Sequence, residues 1–169
     1  MTKQSAGLLL YRKAQEVYEV FLVHPGGPFW AKKDAGSWSA PKGEFEAGED
    51  LLTAAKREFQ EETGQQAPSG NYQPLGEIKQ SSGKVVHLFA LEADIPAGVC
   101  QSNTFEMEWP PKSGQRQAFP ECDRSQWFPL ATAKQKLVKG QVEFIDRLAE
   151  KLQTSIETAS EHPVQASLF

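Results

Sequence analysis

Two runs of bulky apolar residues open the chain, 7–11 (GLLLY) and 17–23 (VYEVFLV), with polar residues 12–16 between them. Both are rich in β-branched, aromatic and aliphatic residues, and they predict an antiparallel strand pair. The run His24-Pro25-Gly26-Gly27-Pro28 ends the second strand, because proline supplies no ladder donor and glycine favours turns. A loop to about Trp38 follows. Residues 50–63 hold no glycine or proline and are rich in alanine, leucine and glutamate, which predicts a helix stopped by Gly64. Pro68-Ser69-Gly70-Asn71 marks a turn, and residues 75–80 and 84–93 around Ser81-Ser82-Gly83 predict a hairpin. Residues 95–124 read as an irregular functional loop, with four prolines, two glycines and one strand-like piece at 104–109. Extended structure returns at 126–130. From Thr132 the spacing of Leu137, Val138, Phe144, Ile145, Leu148 and Leu152 predicts helix, interrupted at Gly140. Strands mixed with two or three helices give an α/β or α+β sandwich.

A length of 169 residues fits one domain, expected over 1–153, with a polar, flexible tail at 154–169. No apolar run approaches the roughly 18–20 residues of a membrane-spanning helix. The formal charge of −4 speaks against general nucleic-acid backbone binding and leaves room only for a local basic patch. Cys100 and Cys122 show neither zinc-site spacing nor a disulfide framework, and they read as free thiols of a cytoplasmic protein.

The chemistry concentrates in residues 43–64, GEFEAGEDLLTAAKREFQEETG. At about 100° per helical residue, Glu61 and Glu62 lie within roughly 60° of Glu58, so three carboxylates share one face. Leu52 and Phe59 fall beside that face, where they can bury the helix. Like charges at this spacing repel. Such a face is either solvated or bound to a cation, and Mg²⁺ commonly takes one or two carboxylates together with substrate phosphates and water. Arg57, set among the glutamates, can orient a carboxylate through paired hydrogen bonds.

The stretch resembles the signature of the Nudix hydrolases, G-x5-E-x7-R-E-U-x-E-E-x-G-U, with U a bulky apolar residue. Gly43, Glu49, Arg57, Glu58, Phe59, Glu61, Glu62 and Gly64 fill eight of its nine constrained positions, and Gln65 departs at the ninth. That departure touches packing after the helix more than metal binding. The resemblance implies an α/β/α sandwich with a mixed central sheet. It also implies hydrolysis of a nucleoside diphosphate linked to another moiety, with Mg²⁺ or Mn²⁺ as cofactor. Carried onto this sequence, Glu58 and Glu62 become the chief metal ligands, Glu61 contributes directly or through water, and the backbone carbonyl of Lys42 completes the set. Arg57 orients the carboxylates, with Glu49 as partner. The general base is either a box glutamate, Glu61 among them, or a later-loop residue. Glu121 is the later-loop candidate, ahead of Glu106 and Glu108.

The run Trp38-Ser39-Ala40-Pro41-Lys42-Gly43 resembles the W-x-x-P-K-G approach to the box in dinucleoside polyphosphate and diphosphoinositol polyphosphate hydrolases. Lys42 is then a candidate contact for a long phosphate chain, and the acidic charge favours a nucleotide over an inositol substrate. Nucleoside triphosphate pyrophosphohydrolysis and removal of pyrophosphate from RNA 5′ ends are the alternative activities, and a non-catalytic nucleotide-sensing module is the alternative class. Outside the box, Phe29, Trp30, Trp109 and Phe119 are candidate base-stacking rings or core residues. His87 is a cleft or an ordinary strand histidine, and Lys79 and Lys84 flank the hairpin turn.

Overall fold

The computed structural model describes residues 3–156. Strand β1 (Gln4–Ala14) pairs antiparallel with β2 (Val17–Pro25), and the two-residue turn between them places Gln15 and Glu16 at φ of 50° and 70°. The strands therefore run further than the polar stretch 12–16 suggests. The register carries Ala14 opposite Val17, and a left-handed two-residue turn matches the twist of the hairpin.

A short β3 (Lys42–Glu44) lies against β1, the helix α1 (Leu51–Thr63) follows, and β4 (Gln73–Lys79) and β5 (Val85–Glu92) form the expected hairpin. Next come β6 (Thr104–Glu108), β7 (Arg116–Pro120) and β8 (Cys122–Pro129), and the described chain closes with α2 (Leu130–Lys136) and α3 (Val142–Leu152). The main sheet has the order β4-β5-β1-β2-β8, with β3 on β1. Its β1–β5 pairing is parallel and the others are antiparallel, so the sheet is mixed.

Helices cover both faces of this sheet, which is why β1 and β2 read as nearly unbroken apolar runs. Leu8, Leu10, Phe21 and Val23 point to the α1 side and pack with Ala54, Ala55 and Phe59. Leu9, Val20 and Leu22 point the other way, onto Leu130, Ala133, Phe144, Ile145 and Leu148. The result is an α/β/α sandwich. No helix among the described residues is long and apolar enough to cross a membrane.

Several expectations change. The segment 95–124 is not one irregular loop, because β6 and β7 form a separate two-stranded ribbon and β8 begins at Cys122, before residue 126. The C-terminal helix starts at Leu130, directly after Pro129. It breaks at Leu137 rather than Gly140, because Leu137 turns extended and bridges to Trp38, whose carbonyl accepts the Val138 amide at 2.8 Å. Gly140 sits in a short 3-10 turn, Lys139–Gln141, where the Gln80 side chain packs against it. Ile156 packs on the core, and residues 157–169 of the expected tail lie outside the described residues.

Candidate functional site

Helix α1 is locally well specified. Asp50 caps its start, its carboxylate accepting the Thr53 amide at 3.0 Å, and Gly64 ends it at φ 79° with its own amide bonded to Gln60. Phe59, Ala54 and Ala55 bury one stripe against the sheet, and this orientation carries the glutamates toward the short strand β3.

Arg57 gathers three carboxylates. Its Nε and Nη2 donate to the two oxygens of Glu49 at 3.2 and 3.0 Å, and its Nη1 reaches Glu58 at 3.1 Å and Glu61 at 3.4 Å. The paired contact with Glu49 fixes the guanidinium plane. Gly43 supplies the opposite wall. A Cβ at that position would lie 1.8 Å from Oε1 of Glu58, so the carboxylate rests directly on backbone that any side chain would displace. Glu62 faces away from Arg57 and accepts the Lys42 amide at 3.0 Å.

The electrostatics follow from this crowding. Burial, then the hydrogen bond and charge of Glu61, push the Glu58 carboxyl up to about 7 against the pull of Arg57. Burial also raises Glu62 to about 7, opposed by the Lys42 amide and ammonium and aided by Glu121 and Glu58. Burial and the charge of Glu61 push Glu121 up as well. Carboxyls that resist ionisation this close together are hard oxygen donors short of positive charge, the ligand chemistry that a divalent cation takes. Among the described residues, no three His, Cys, Asp or Glu side chains converge so as to hold a metal ion. Mg²⁺ commonly takes one or two protein carboxylates and keeps waters and substrate phosphates as its other ligands.

Beside the carboxylates a cleft of about 450 Å³ is lined by Glu62, Lys42, Glu121, Trp30, Lys84 and Gln80, among others. Glu121 is held at the β7–β8 junction, its amide on the Asn103 carbonyl and its carbonyl accepting the Gly26 amide, both at 2.9 Å. The fold thus gathers Glu49, Arg57, Glu58 and Glu61 in one network, and Glu62, Lys42 and Glu121 along one cleft.

Other candidates sit elsewhere. Glu106 faces Arg116 on the ribbon, and Glu108 accepts the Lys112 and Gly114 amides at 3.0 Å, closing the ribbon turn. His87 meets the Gln4 side chain at 2.8 Å and is not a cleft residue. Phe29 packs on Trp109 and Phe119 on Phe105, while Trp30 alone of the four aromatic candidates lines the cleft. Trp38 is core, packed against His24 and Phe128, with its indole N–H on Asp34.

Four contributors were not singled out from the sequence. Cys122 lines the cleft, buried beside Glu62, and burial raises its thiol pKa strongly. Gln141 is 1% exposed and clamps the approach to the box, its Oε1 accepting the Ala40 amide and its Nε2 donating to Ser39. His24 is fully buried, with Nε2 donating to the Lys33 carbonyl and Nδ1 facing Asp123. Gln80 reaches the cleft through the β4–β5 turn. Only His24 carried a visible signal, as a lone histidine beside a Pro-Gly-Gly-Pro turn.

Comparison with known proteins adds to this geometry. Residues 1–148 match the NUDIX domain family. Among curated proteins, the octanoyltransferase of Myxococcus xanthus is 32% identical over 102 residues, which is 60% of this chain and 25% of that protein. The chain thus spans about a quarter of that relative's length. Among solved structures, the Ap4A hydrolase binary complex of C. elegans aligns with a TM-score of 0.61 at 20% identity, covering 90% of this chain and 98% of that one. The NUDIX domain of Shewanella oneidensis NrtR, complexed with ADP ribose, aligns with a TM-score of 0.61 at 18% identity, over 90% and 89% of the two chains.

Proposed function

The chain belongs to the Nudix family, and on that premise we propose that it is a hydrolase of a pyrophosphate linkage in a nucleoside diphosphate derivative, best suited to a dinucleoside polyphosphate such as diadenosine tetraphosphate. The catalytic domain in this reading runs over residues 1–153. The observation that carries the proposal is the intact set of Glu58, Glu61 and Glu62: Glu58 rests against Gly43, Arg57 holds Glu58 and Glu61, and Glu62 lines a cleft together with Lys42. Nucleotide-sensing modules of this fold usually lose a box carboxylate, and this chain keeps all of them.

Glu58 and Glu62 would hold Mg²⁺ or Mn²⁺, with Glu61 acting directly or through water and the Lys42 carbonyl completing the set. When bound, the metal neutralises pyrophosphate charge and lowers the pKa of a coordinated water. Arg57 keeps the carboxylates in register through its contacts with Glu49, Glu58 and Glu61. Glu121 or Glu61 takes the proton of the attacking water, since both lie at the site and a carboxylate free of metal can serve as base. Lys42 binds the phosphate chain. The C. elegans Ap4A hydrolase, similar in fold, supports the substrate class, and the ADP-ribose complex places nucleotide sugars among the substrates to be tested.

The test is a panel of diadenosine tetraphosphate, nucleoside triphosphates, ADP-ribose and triphosphorylated RNA in Mg²⁺, with products identified. The proposal expects the highest kcat/KM on the tetraphosphate, and Lys42→Ala should narrow its lead over the triphosphates. A wild-type preference for triphosphates would replace the dinucleoside reading with a triphosphate pyrophosphohydrolase.

A further inference from the structure

Of the large apolar side chains among the described residues, Trp30 is placed unlike the other exposed ones. It is 40% exposed, yet it forms a wall of the same cleft that contains Glu62, Lys42 and Lys84. A tryptophan left this open in a cleft that also carries charged groups offers a π-face rather than core packing.

The loop that carries it is anchored at both ends. At the root, the Gly26 amide donates to the Glu121 carbonyl, and Gly26 lies so close to Pro120 that a Cβ would sit 2.0 Å from the Pro120 carbonyl oxygen. At the far end, buried His24 holds the Lys33 carbonyl at 2.6 Å, and Asp34 receives the Trp38 indole and the Lys136 ammonium. Between these anchors the Trp30 carbonyl accepts the Lys33 amide at 2.9 Å, and the Lys33 ammonium lies 5.3 Å from the centre of the indole ring. The backbone that presents the ring is therefore held at both ends of its loop.

The rest of the lining narrows what that surface meets. Lys42 and Lys84 line the cleft without a salt bridge among the described residues, although the Lys42 ammonium also acts on the Glu62 carboxyl, so both can meet an anion. Ser37, Ser39 and Gln141 are polar, but their side chains are already bonded to Asp34, Ala40 and one another. A flat ring beside two lysines, with Ser37, Ser39 and Gln141 engaged and Glu62 and Glu121 lining the same cleft, suits an occupant that pairs a planar π-system with metal-bound phosphates.

We propose that Trp30 is the nucleobase platform of this cleft, and that the base stacks on its indole while Lys42 and Lys84 bind the phosphates. The proposal rests on the nucleotide reading of the same site, and it names the part of the substrate that the carboxylates do not touch. Recognition is by stacking, with Lys84 extending the phosphate track across the β4–β5 hairpin.

Equilibrium binding tests this without turnover. ADP and inorganic pyrophosphate are titrated by calorimetry into the wild type, Trp30→Ala and Trp30→Phe in the presence of Mg²⁺. Loss of one base–aromatic stack should weaken ADP by roughly 5- to 150-fold in Trp30→Ala. Trp30→Phe should retain most of the affinity, and pyrophosphate should bind all three proteins within about twofold because it carries no ring. An unchanged ADP affinity in Trp30→Ala, or a parallel loss for ADP and pyrophosphate, would overturn the platform. Turnover of diadenosine tetraphosphate by the wild type is scored separately. Its absence, with the ADP-selective loss intact, would sink the dinucleoside polyphosphate reading and leave Trp30 as the base platform.

Discussion

Gly43→Ala is the smallest change that separates the position of the Glu58 carboxylate from its presence. An added Cβ would meet Oε1 of Glu58 at 1.8 Å, Cδ at 2.3 Å and Oε2 at 2.6 Å, whereas ordinary contact begins near 3.4 Å. The carboxylate must retreat by about 1.6 Å, or β3 must move away from α1 by a similar amount. Gly43 is not among the glycines with positive φ, so the alanine backbone itself is unstrained. Stiffening the unfolded chain returns about 0.4–1 kcal/mol, against about 1–3 kcal/mol for overpacking. Net destabilisation of roughly 1–2 kcal/mol should lower Tm by about 2–8 °C at this chain length, which leaves the protein folded. A 1 Å misplacement of a reacting group costs on the order of 100-fold in rate, so kcat on diadenosine tetraphosphate should fall by at least about that factor. The assay pairs kcat at saturating Mg²⁺ with a thermal melt of the same preparation. A folded Gly43→Ala variant with turnover within about threefold of wild type would refute the claim that Glu58 works from its seat on Gly43.

The remaining predictions concern charge and backbone. With the Glu58 and Glu62 carboxyls raised to about 7, the folded protein binds more protons than the unfolded chain between pH ~4.5 and ~7. The stability of the metal-free protein should therefore be greatest toward the acid end of that window and fall as pH rises through about 7. Asp34, lowered first by Lys136, and Asp50, lowered first by the Thr53 amide, act only below the window. Millimolar Mg²⁺ should raise Tm more at pH 8 than at pH 5, and melts across pH with and without Mg²⁺ check this; a Tm rising between pH 5 and 8 without metal would contradict it. Replacing Gln15-Glu16 with Asn-Gly should stabilise the β1–β2 turn by about 1 kcal/mol, because both positions occupy left-handed backbone that asparagine and glycine tolerate better. Urea midpoints of the two proteins measure it, and an unchanged midpoint would show that the turn carries no such strain.

The parts legible in the sequence were those set by local chemistry. The span of α1 and its stop at Gly64, the carboxylate face and the first strand pair follow from residues within a few positions of one another, while Asp50, read as the first helical residue, is its cap. The ribbon was half legible, since residues 104–109 read as strand but Arg116–Pro120 shows no clear alternation, and its strand character comes from pairing with β6. Lys84 is a different case. It reaches the cleft only because β5 lies parallel to β1, a pairing between residues some eighty positions apart. The break at Leu137 was misplaced to Gly140 because a glycine is a visible helix breaker, whereas the bridge from Leu137 to Trp38 is tertiary. Phe29 and Trp30 are neighbours in one loop, and only the folded structure separates them, Phe29 packing on Trp109 and Trp30 lining the cleft. Gln141 looked like an ordinary polar position, and its role depends on the Ala40 amide a hundred residues away.

The central claim is that the carboxylates of α1 do the chemistry of phosphoanhydride cleavage. It is tested most directly by the Mg²⁺-dependent turnover of diadenosine tetraphosphate in wild type, Glu58→Gln and Glu62→Gln. Each glutamine nearly preserves shape and removes one charged oxygen ligand. The account predicts folded variants whose kcat falls by roughly 100-fold or more, since loss of even outer-shell support commonly costs 10- to 100-fold. Wild-type turnover in either variant at saturating Mg²⁺ would contradict it.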